Sequence, residues 1–358
     1  MKYTIQREKS EPTYLQLYRQ VRQDIVSGLL PLGSKLLSKR ILCEELGIST
    51  VTVEHAYSLL CDEGYVEARQ RSGYFVIFRS TDGFAEPKEG HIPPPSVHKS
   101  EPTEFPFSVL TKTMRRVMND YGEGILEPSD GTGCQELREA ICQYLARSRG
   151  VLVSPEQVII GSGSEHLYTL VLSLLGRNRH YAIESPSYHK IEQVYRASNV
   201  PFSMLPLGAE GIESRALWNC NGDVLHISPY RSYPSNITAS ASKRHEYLCW
   251  AAKADHYIIE DDFQSEFSLS RKPEDTLFSQ SSDNNVIYMN SFSKTISPSL
   301  RVAYMVLPQR LLPLYHERLG FLSCTVPTFQ QLVLAALLRG GEFERHINRV
   351  RRKLRRSL

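Results

Sequence analysis

Val286 to Met289, a short apolar run, leads directly into Ser291-Phe292-Ser293-Lys294-Thr295-Ile296-Ser297-Pro298-Ser299-Leu300-Arg301. A run of that length, bounded by polar and turn-forming residues, predicts a buried strand with a loop beyond its carboxyl end. Further runs of this kind stand at Val158 to Ile160, His180 to Ile183, Val224 to Ile227, Tyr257 to Glu260 and Val302 to Val306, with helical stretches between them. The alternation predicts an α/β unit with a mainly parallel sheet. Ligands of such sheets lie beyond the carboxyl ends of the strands, so the residues after each run are where chemistry is sought.

Those residues are informative. Gly161-Ser162-Gly163-Ser164-Glu165-His166 reads as a flexible turn opening a helix, whose free N–H groups and dipole favour a phosphate. Glu184-Ser185-Pro186-Ser187-Tyr188 sets an aromatic ring at the mouth of the sheet, and Glu260-Asp261-Asp262 sets carboxylates there, costly unless solvated or paired with a cation. Taken singly each is commonplace: glycine-serine turns, a packed tyrosine and surface cations occur everywhere. In this order they are the parts that hold pyridoxal 5'-phosphate, PLP. Lys294 is read as the amine that forms a Schiff base with the cofactor aldehyde, and Asp261 as the partner of the pyridine nitrogen. Arg301, with Ser162, Ser164 and the helix start, is read as the phosphate site, and Tyr188 as the stacking ring. Gly163, Glu165, Ser291 and Ser293 join the cofactor-binding set by position.

Upstream, residues 79–104 are rich in proline and polar residues and lack apolar periodicity, which predicts a linker between a unit at 1–78 and a larger one at 105–358. In the small unit Tyr14, Tyr18, Val21 and Ile25 share one helix face, with Gly28 and Gly33 ending the pattern. A short helix is expected from Ser38 to Leu46, a turn at Gly47, and a third helix capped by Ser49 with Val53, Tyr57 and Leu60 buried. Strands are expected at Tyr65 to Arg69 and Tyr74 to Phe78. This is the order of a winged helix-turn-helix. A small helical interaction module has a similar pattern, but the cations favour DNA: Lys39 and Arg40 open the second helix, Arg69 and Arg71 lie on the hairpin with Gly73, and all flank the polar start of helix three at Ser49, Thr50 and Thr52.

The small unit resembles the DNA-binding domain of the GntR family, through Tyr18, Ile25, Gly28, Gly33, Leu37-Ser38-Lys39-Arg40, Leu46-Gly47, Thr52-Val53, Ala56-Tyr57, Leu60, Gly64 and Gly73 to Val76. Leu37 stands where the family usually carries proline and Thr50 where it usually carries arginine. The larger unit resembles the aminotransferase-like, fold type I domain of PLP enzymes. Beyond the residues above, Phe105-Pro106, Gly131 to Ile141, Tyr144-Leu145, Arg149-Gly150-Val151, Ser154 to Gly163, Ser228-Pro229 and Pro234-Ser235 match. Joined, the two halves resemble the MocR group of regulators. That resemblance implies a dimeric, PLP-binding transcription factor that acts on a double-stranded DNA operator, senses a B6 vitamer or amino compound, and turns over little or nothing. Three departures stand out: Phe263 replaces a tyrosine that contacts the cofactor's ring oxygen, Asn236 replaces a glycine, and the match stops before a small C-terminal subdomain that normally supplies an arginine for a substrate carboxylate. The alternative is a PLP-dependent aminotransferase with an accessory DNA-binding module.

At 358 residues with 41% hydrophobic and 23% charged composition, the chain has the make-up of a globular protein of two units and excludes disordered or collagen-like classes. A formal charge of +3 is too small for a general polycation, so any nucleic-acid surface is local. Seven widely spaced cysteines without a CxxC pair predict no metal site, and buried free thiols in a reducing cytoplasm are expected. The opening MKYTIQREKS lacks the apolar core of a signal peptide, and no run is long enough for a membrane helix.

Overall fold

The computed structural model describes residues 3–5, 11–70, 72–79, 105–253, 255–262, 265–267, 275–282 and 285–356. The chain divides into Met1–Val97 and His98–Leu358. The division falls inside the segment read above as a linker, whose residues 80–104 lie outside the described ones.

In the first unit α1 (Thr13–Val26), α2 (Lys39–Leu46) and α3 (Thr50–Asp62) precede an antiparallel hairpin of β1 (Val66–Arg69) and β2 (Gly73–Val76). Helical spacing places Leu17, Tyr18, Val21 and Ile25 in one core with Val53, Ala56, Tyr57 and Leu60. Tyr14 is only half-buried and stacks on His55 with ring centroids 4.1 Å apart. The hydroxyls of Ser38 and Ser49 accept the N–H groups of Ile41 and Thr52, capping α2 and α3. Gly47 ends α2 at φ 59°, a conformation that costs any residue with a Cβ. A third extended piece, without periodicity to announce it, joins the hairpin: Leu36 donates its N–H to the Tyr74 carbonyl and Lys35 bridges Phe75.

The second unit runs α4 (Phe107–Tyr121), α5 (Gln135–Arg149), β3 (Val158–Gly161), α6 (Ser164–Leu175), β4 (Tyr181–Ser185), α7 (His189–Ala197), β5 (Phe202–Gly208), β6 (Gly211–Ile212), α8 (Ser214–Trp218), β7 (Val224–Ile227), α9 (Ala241–Ala252), β8 (Tyr257–Asp261), α10 (Leu277–Gln280), β9 (Val286–Ser291), β10 (Ala303–Val306), α11 (Leu312–Leu319), α12 (Thr328–Arg339) and α13 (Glu342–Arg356). Its eight strands lie in the order β3-β10-β9-β8-β7-β4-β5-β6. From β5 through β9 the neighbours are parallel. The run at Val302 to Val306 departs from the parallel alternation, since β10 is antiparallel to both β3 and β9. A parallel return needs a crossover of about a dozen residues or more, usually a helix. The link from Ser291 to Ala303 has only a 3-10 turn at Pro298–Leu300, so the chain turns straight back.

Residues alternate between the two sheet faces. Val158, Ile160, Tyr288 and Tyr304 join α5, α12 and α13 in one core. Ile159, Ile287, Met289 and Met305 join α6, α7 and α11 in another. With β10 reversed between them, β3 and β9 point the same way, so the carboxyl ends of β3, β4, β7, β8 and β9 share one edge. Among the described residues no helix is long and apolar enough to cross a membrane. The seven cysteines are unpaired, but only Cys134 is buried and Cys249 is exposed, which corrects the expectation of buried thiols. Burial pushes the Cys134 thiol up to about 11.

Candidate functional site

Three consecutive carboxylates at the end of β8 go to three different places because a strand alternates its side chains. Glu260 accepts the N–H groups of Leu277 and Phe278, both at 2.9 Å, at the start of α10. Asp262, on the same face, pairs with the Arg149 guanidinium and accepts the Tyr288 hydroxyl at 2.8 Å. Asp261 points the other way and accepts the Tyr168 hydroxyl at 2.5 Å. Burial, then the Asp261 charge, pushes the Tyr168 hydroxyl well above its ordinary range, so it stays a donor. The expected pairing of these acids with a cation thus holds for Asp262 alone.

A pocket of about 290 Å³ opens at the shared strand edge. Of the residues read from sequence, Ser164, Glu165, Tyr188, Ser291, Ser293, Lys294 and Arg301 line it. Ser162, Gly163 and Asp261 do not; they stand just behind its walls. Ser162 donates its N–H to His166 Nδ1 at 3.3 Å and its carbonyl accepts from Arg301 at 3.4 Å, so its backbone rather than its hydroxyl serves the arginine. Phe263 lies outside the described residues. Tyr168, Lys190 and Tyr233 also line the pocket. Sequence reading missed them, although Tyr168 is one helical turn from Ser164 and Lys190 two residues from Tyr188.

The phosphate end differs from expectation. Arg301 donates to Glu165 Oε2 at 2.8 Å, and Lys190 donates to Glu165 Oε1 at 2.5 Å. Partial burial works to raise the Glu165 pKa, but the hydrogen bonds from Lys190, its own backbone and Arg301 outweigh it and hold the carboxyl at about 2. A carboxylate therefore already sits on the cation assigned to phosphate. The reason is local: Glu165 occupies the first turn of α6, where a negative charge is favoured, and that turn has no side-chain cap.

The residues nonetheless fit PLP. Gly163, at φ 101°, leaves open a cradle in which a Cβ would lie 2.8 Å from the Arg301 guanidinium. Asp261 is 3% exposed, yet the nearest cation-forming group, His226 Nε2, is 3.7 Å away and without a hydrogen-bond partner. A buried carboxylate served only by a neutral hydroxyl is costly, and a protonated heterocycle is the partner that would relieve it. Asn236 has φ 58°, a conformation that asparagine tolerates better than most residues.

In the first unit the expected nucleic-acid residues are surface groups with local partners. Lys39 pairs with Glu54 at 2.8 Å, Arg40 with Glu44 at 3.2 Å and Arg69 with Glu67 at 2.6 Å. Arg69 also lies over the Phe75 ring, 4.5 Å from its centroid. Thr50 is exposed at the start of α3, whereas Thr52 is half-buried with its hydroxyl 2.8 Å from Ser49 Oγ. Thr52 is therefore part of the cap, because the position three residues after a capping serine turns back toward it. Gly73 takes φ 112° at the start of β2. Arg71 lies outside the described residues.

Residues 13–76 match the family described as bacterial regulatory proteins, gntR family, and residues 89–358 match aminotransferase class I and II. The chain is 34% identical to the HTH-type transcriptional regulator YdeL of Bacillus subtilis, over 97% of this chain and 77% of that protein. It is 27% identical to the HTH-type pyridoxine biosynthesis transcriptional regulator PdxR of Corynebacterium glutamicum, over 96% of this chain and 77% of that one. Among solved structures, the α-aminoadipate aminotransferase LysN of Thermus thermophilus, complexed with N-(5'-phosphopyridoxyl)-L-leucine, superposes with a TM-score of 0.60 at 27% identity, covering 70% of this chain and 64% of that one.

Proposed function

We propose, for a chain that belongs to the HTH-type transcriptional regulators with a gntR-family domain joined to an aminotransferase class I and II domain, a DNA-binding regulator whose larger domain holds PLP and responds to a small amino compound. The observation that carries the reading is the gathering of Lys294, Arg301, Ser164 and the Tyr188 ring around one pocket, with Asp261 buried behind Tyr168. PLP, when bound, supplies an aldehyde that takes up a primary amine and a ring that draws electron density.

Around it each residue of the chain has a task. Lys294, exposed in the otherwise largely buried stretch after β9, offers its amine. Arg301, Ser164 and the uncapped start of α6 hold the phosphate. Asp261 holds the proton of the ring nitrogen, and the Tyr168 hydroxyl holds Asp261. Tyr188, flanked edge-on by Tyr233 with centroids 6.1 Å apart, covers the ring face. Residues 1–78 bind a double-stranded operator, with Lys39, Arg40, Arg69 and Arg71 on phosphates and the start of α3 at the bases. Residues 79–104 connect this reader to the sensor at 105–358. Action on DNA puts the protein in the cytoplasm.

The name of the Corynebacterium relative supports a B6-linked role. A homodimer suits a reader of paired half-sites, and Phe107, Leu126 and Phe321, each about 80% exposed at 79%, 81% and 81%, offer apolar surface for a second copy. The decisive experiment titrates the purified protein with PLP, follows the near-ultraviolet and visible absorbance, and repeats the titration on DNA from its own upstream region, with light scattering for mass. A new band that disappears in Lys294→Ala, with DNA binding kept by the variant, is the expected result. No band with excess PLP would reduce the protein to a DNA reader, and sustained keto-acid release from added amino donors would make it an enzyme.

A further inference from the structure

Lys294, Ser293 and Pro298 also line a second cavity, of about 430 Å³, whose other walls include Arg231, Phe267, Ile296, Val350 and Leu354. The other arginines around the sheet edge are engaged: Arg149 with Asp262, Arg244 with the Ala239 carbonyl at 2.8 Å, Arg301 with Glu165. Arg231 is the exception. Its backbone N–H donates to Thr238 Oγ1 at 3.2 Å, but among the described residues its guanidinium has neither hydrogen bond nor ion pair. Its backbone also stands at φ 60°, unfavourable for a residue with a Cβ, and is held there by the Thr238 contact and the adjoining bridge of Ser232 to Ile237. Lys294 likewise has no partner among the described residues. Among the described residues, two cations without counter-charges thus share a cavity whose other walls combine Phe267, Ile296, Pro298, Val350 and Leu354 with the polar Ser293, Thr295 and His346.

We propose that this cavity is the effector site, and that Arg231 binds the carboxylate of an aliphatic α-amino acid. A guanidinium matches a carboxylate with two parallel hydrogen bonds, and the apolar part of the wall, formed by Phe267, Ile296, Val350 and Leu354, suits an alkyl side chain better than a strongly hydrated phosphate. The amine of such a ligand faces Lys294, and its side chain lies against Phe267, Ile296, Val350 and Leu354. The direction given to the amine rests on the proposed PLP reading; the carboxylate contact does not.

The test separates the two. With PLP present, L-leucine and 3-methylbutylamine, which lacks the carboxylate, are titrated by absorbance into the full-length protein and Arg231→Gln. Without PLP, 4-methylpentanoate, which lacks the amine, is titrated by calorimetry, with inorganic phosphate as competitor. Arg231→Gln is expected to weaken leucine and 4-methylpentanoate roughly 10- to 100-fold, the loss typical of a charge-assisted hydrogen bond, while leaving 3-methylbutylamine within twofold. Arg231→Lys, which keeps the charge, should recover part of the loss. The proposal is overturned if wild-type protein binds leucine no better than 3-methylbutylamine, if the variant loses all three compounds alike, or if phosphate competes as well as a carboxylate. Should PLP produce no band, the cofactor reading fails, and the calorimetry still decides: binding of 4-methylpentanoate that needs Arg231 keeps the site, and its absence removes it.

Discussion

Glu165→Gln isolates the unusual feature of the pocket, a carboxylate resting on the arginine assigned to the cofactor phosphate. The Arg301 contact is 2.8 Å and the Lys190 contact 2.5 Å, but the Arg301 side chain is 51% exposed and that of Glu165 is 24% exposed. Water therefore screens the pair, and its worth falls to about 0.5 to 1 kcal/mol rather than the several kcal/mol of a buried pair. Glutamine keeps the size of the side chain while removing a competitor for Arg301 and a negative charge beside the incoming phosphate. The expected gain is about 1 kcal/mol, or roughly fivefold tighter PLP binding. Pyridoxal, which has no phosphate, should change by less than about twofold, and raised salt should shrink the PLP effect because the charges are partly exposed. Absorbance titrations of both compounds with wild type and variant measure this. Because Glu165 stays ionised down to about pH 2, mild acidification should not reproduce the substitution. Weaker PLP binding by the variant, or an equal gain for pyridoxal, would refute the reasoning.

Three further outcomes are expected. Arg40→Ala should weaken DNA binding and lower the salt slope by about 0.9, since the exposed pair with Glu44 is worth only about 0.3 to 0.5 kcal/mol and releases the arginine easily; identical binding across a salt series removes Arg40 from the interface. Thr50→Ala should change base preference in a selection assay, whereas Ser49→Ala should cost about 1 kcal/mol of first-unit stability in urea through loss of the α3 cap; the reverse pattern would show that α3 does not read bases with its first turn. Burial, opposed by the Ser232 hydroxyl, raises Glu184 to about 8, and burial together with the Asp262 charge raises Glu260 to about 8. Folded-state values above the unfolded range mean that this contribution to stability is full below about pH 4 and is lost as pH climbs to about 8, at up to about 1.4 kcal/mol per pH unit for each group. Denaturation at pH 6 and pH 8 should show the loss, and Glu184→Gln should flatten it; an unchanged slope would place the titration elsewhere.

What the sequence determined by itself is what depends on neighbours along the chain. Apolar spacing placed the helices of the first unit and the strand runs of the second; Ser49 announced its cap, and Gly47 its turn. Lys294 and Arg301 could be found because both lie on one loop after a strand end, where α/β sheets collect ligands. Only the tertiary structure decided which groups meet across long separations. Arg301 finds Glu165 instead of standing free, Asp261 finds Tyr168 while its two neighbours turn away, β10 runs against its neighbours, and Arg231 is left without an anion among the described residues. Periodicity assigns a side chain to a face, but its partner is set by how separate segments cross. For charged groups that crossing also sets the dielectric surroundings, and with them which pairs form and which stay open.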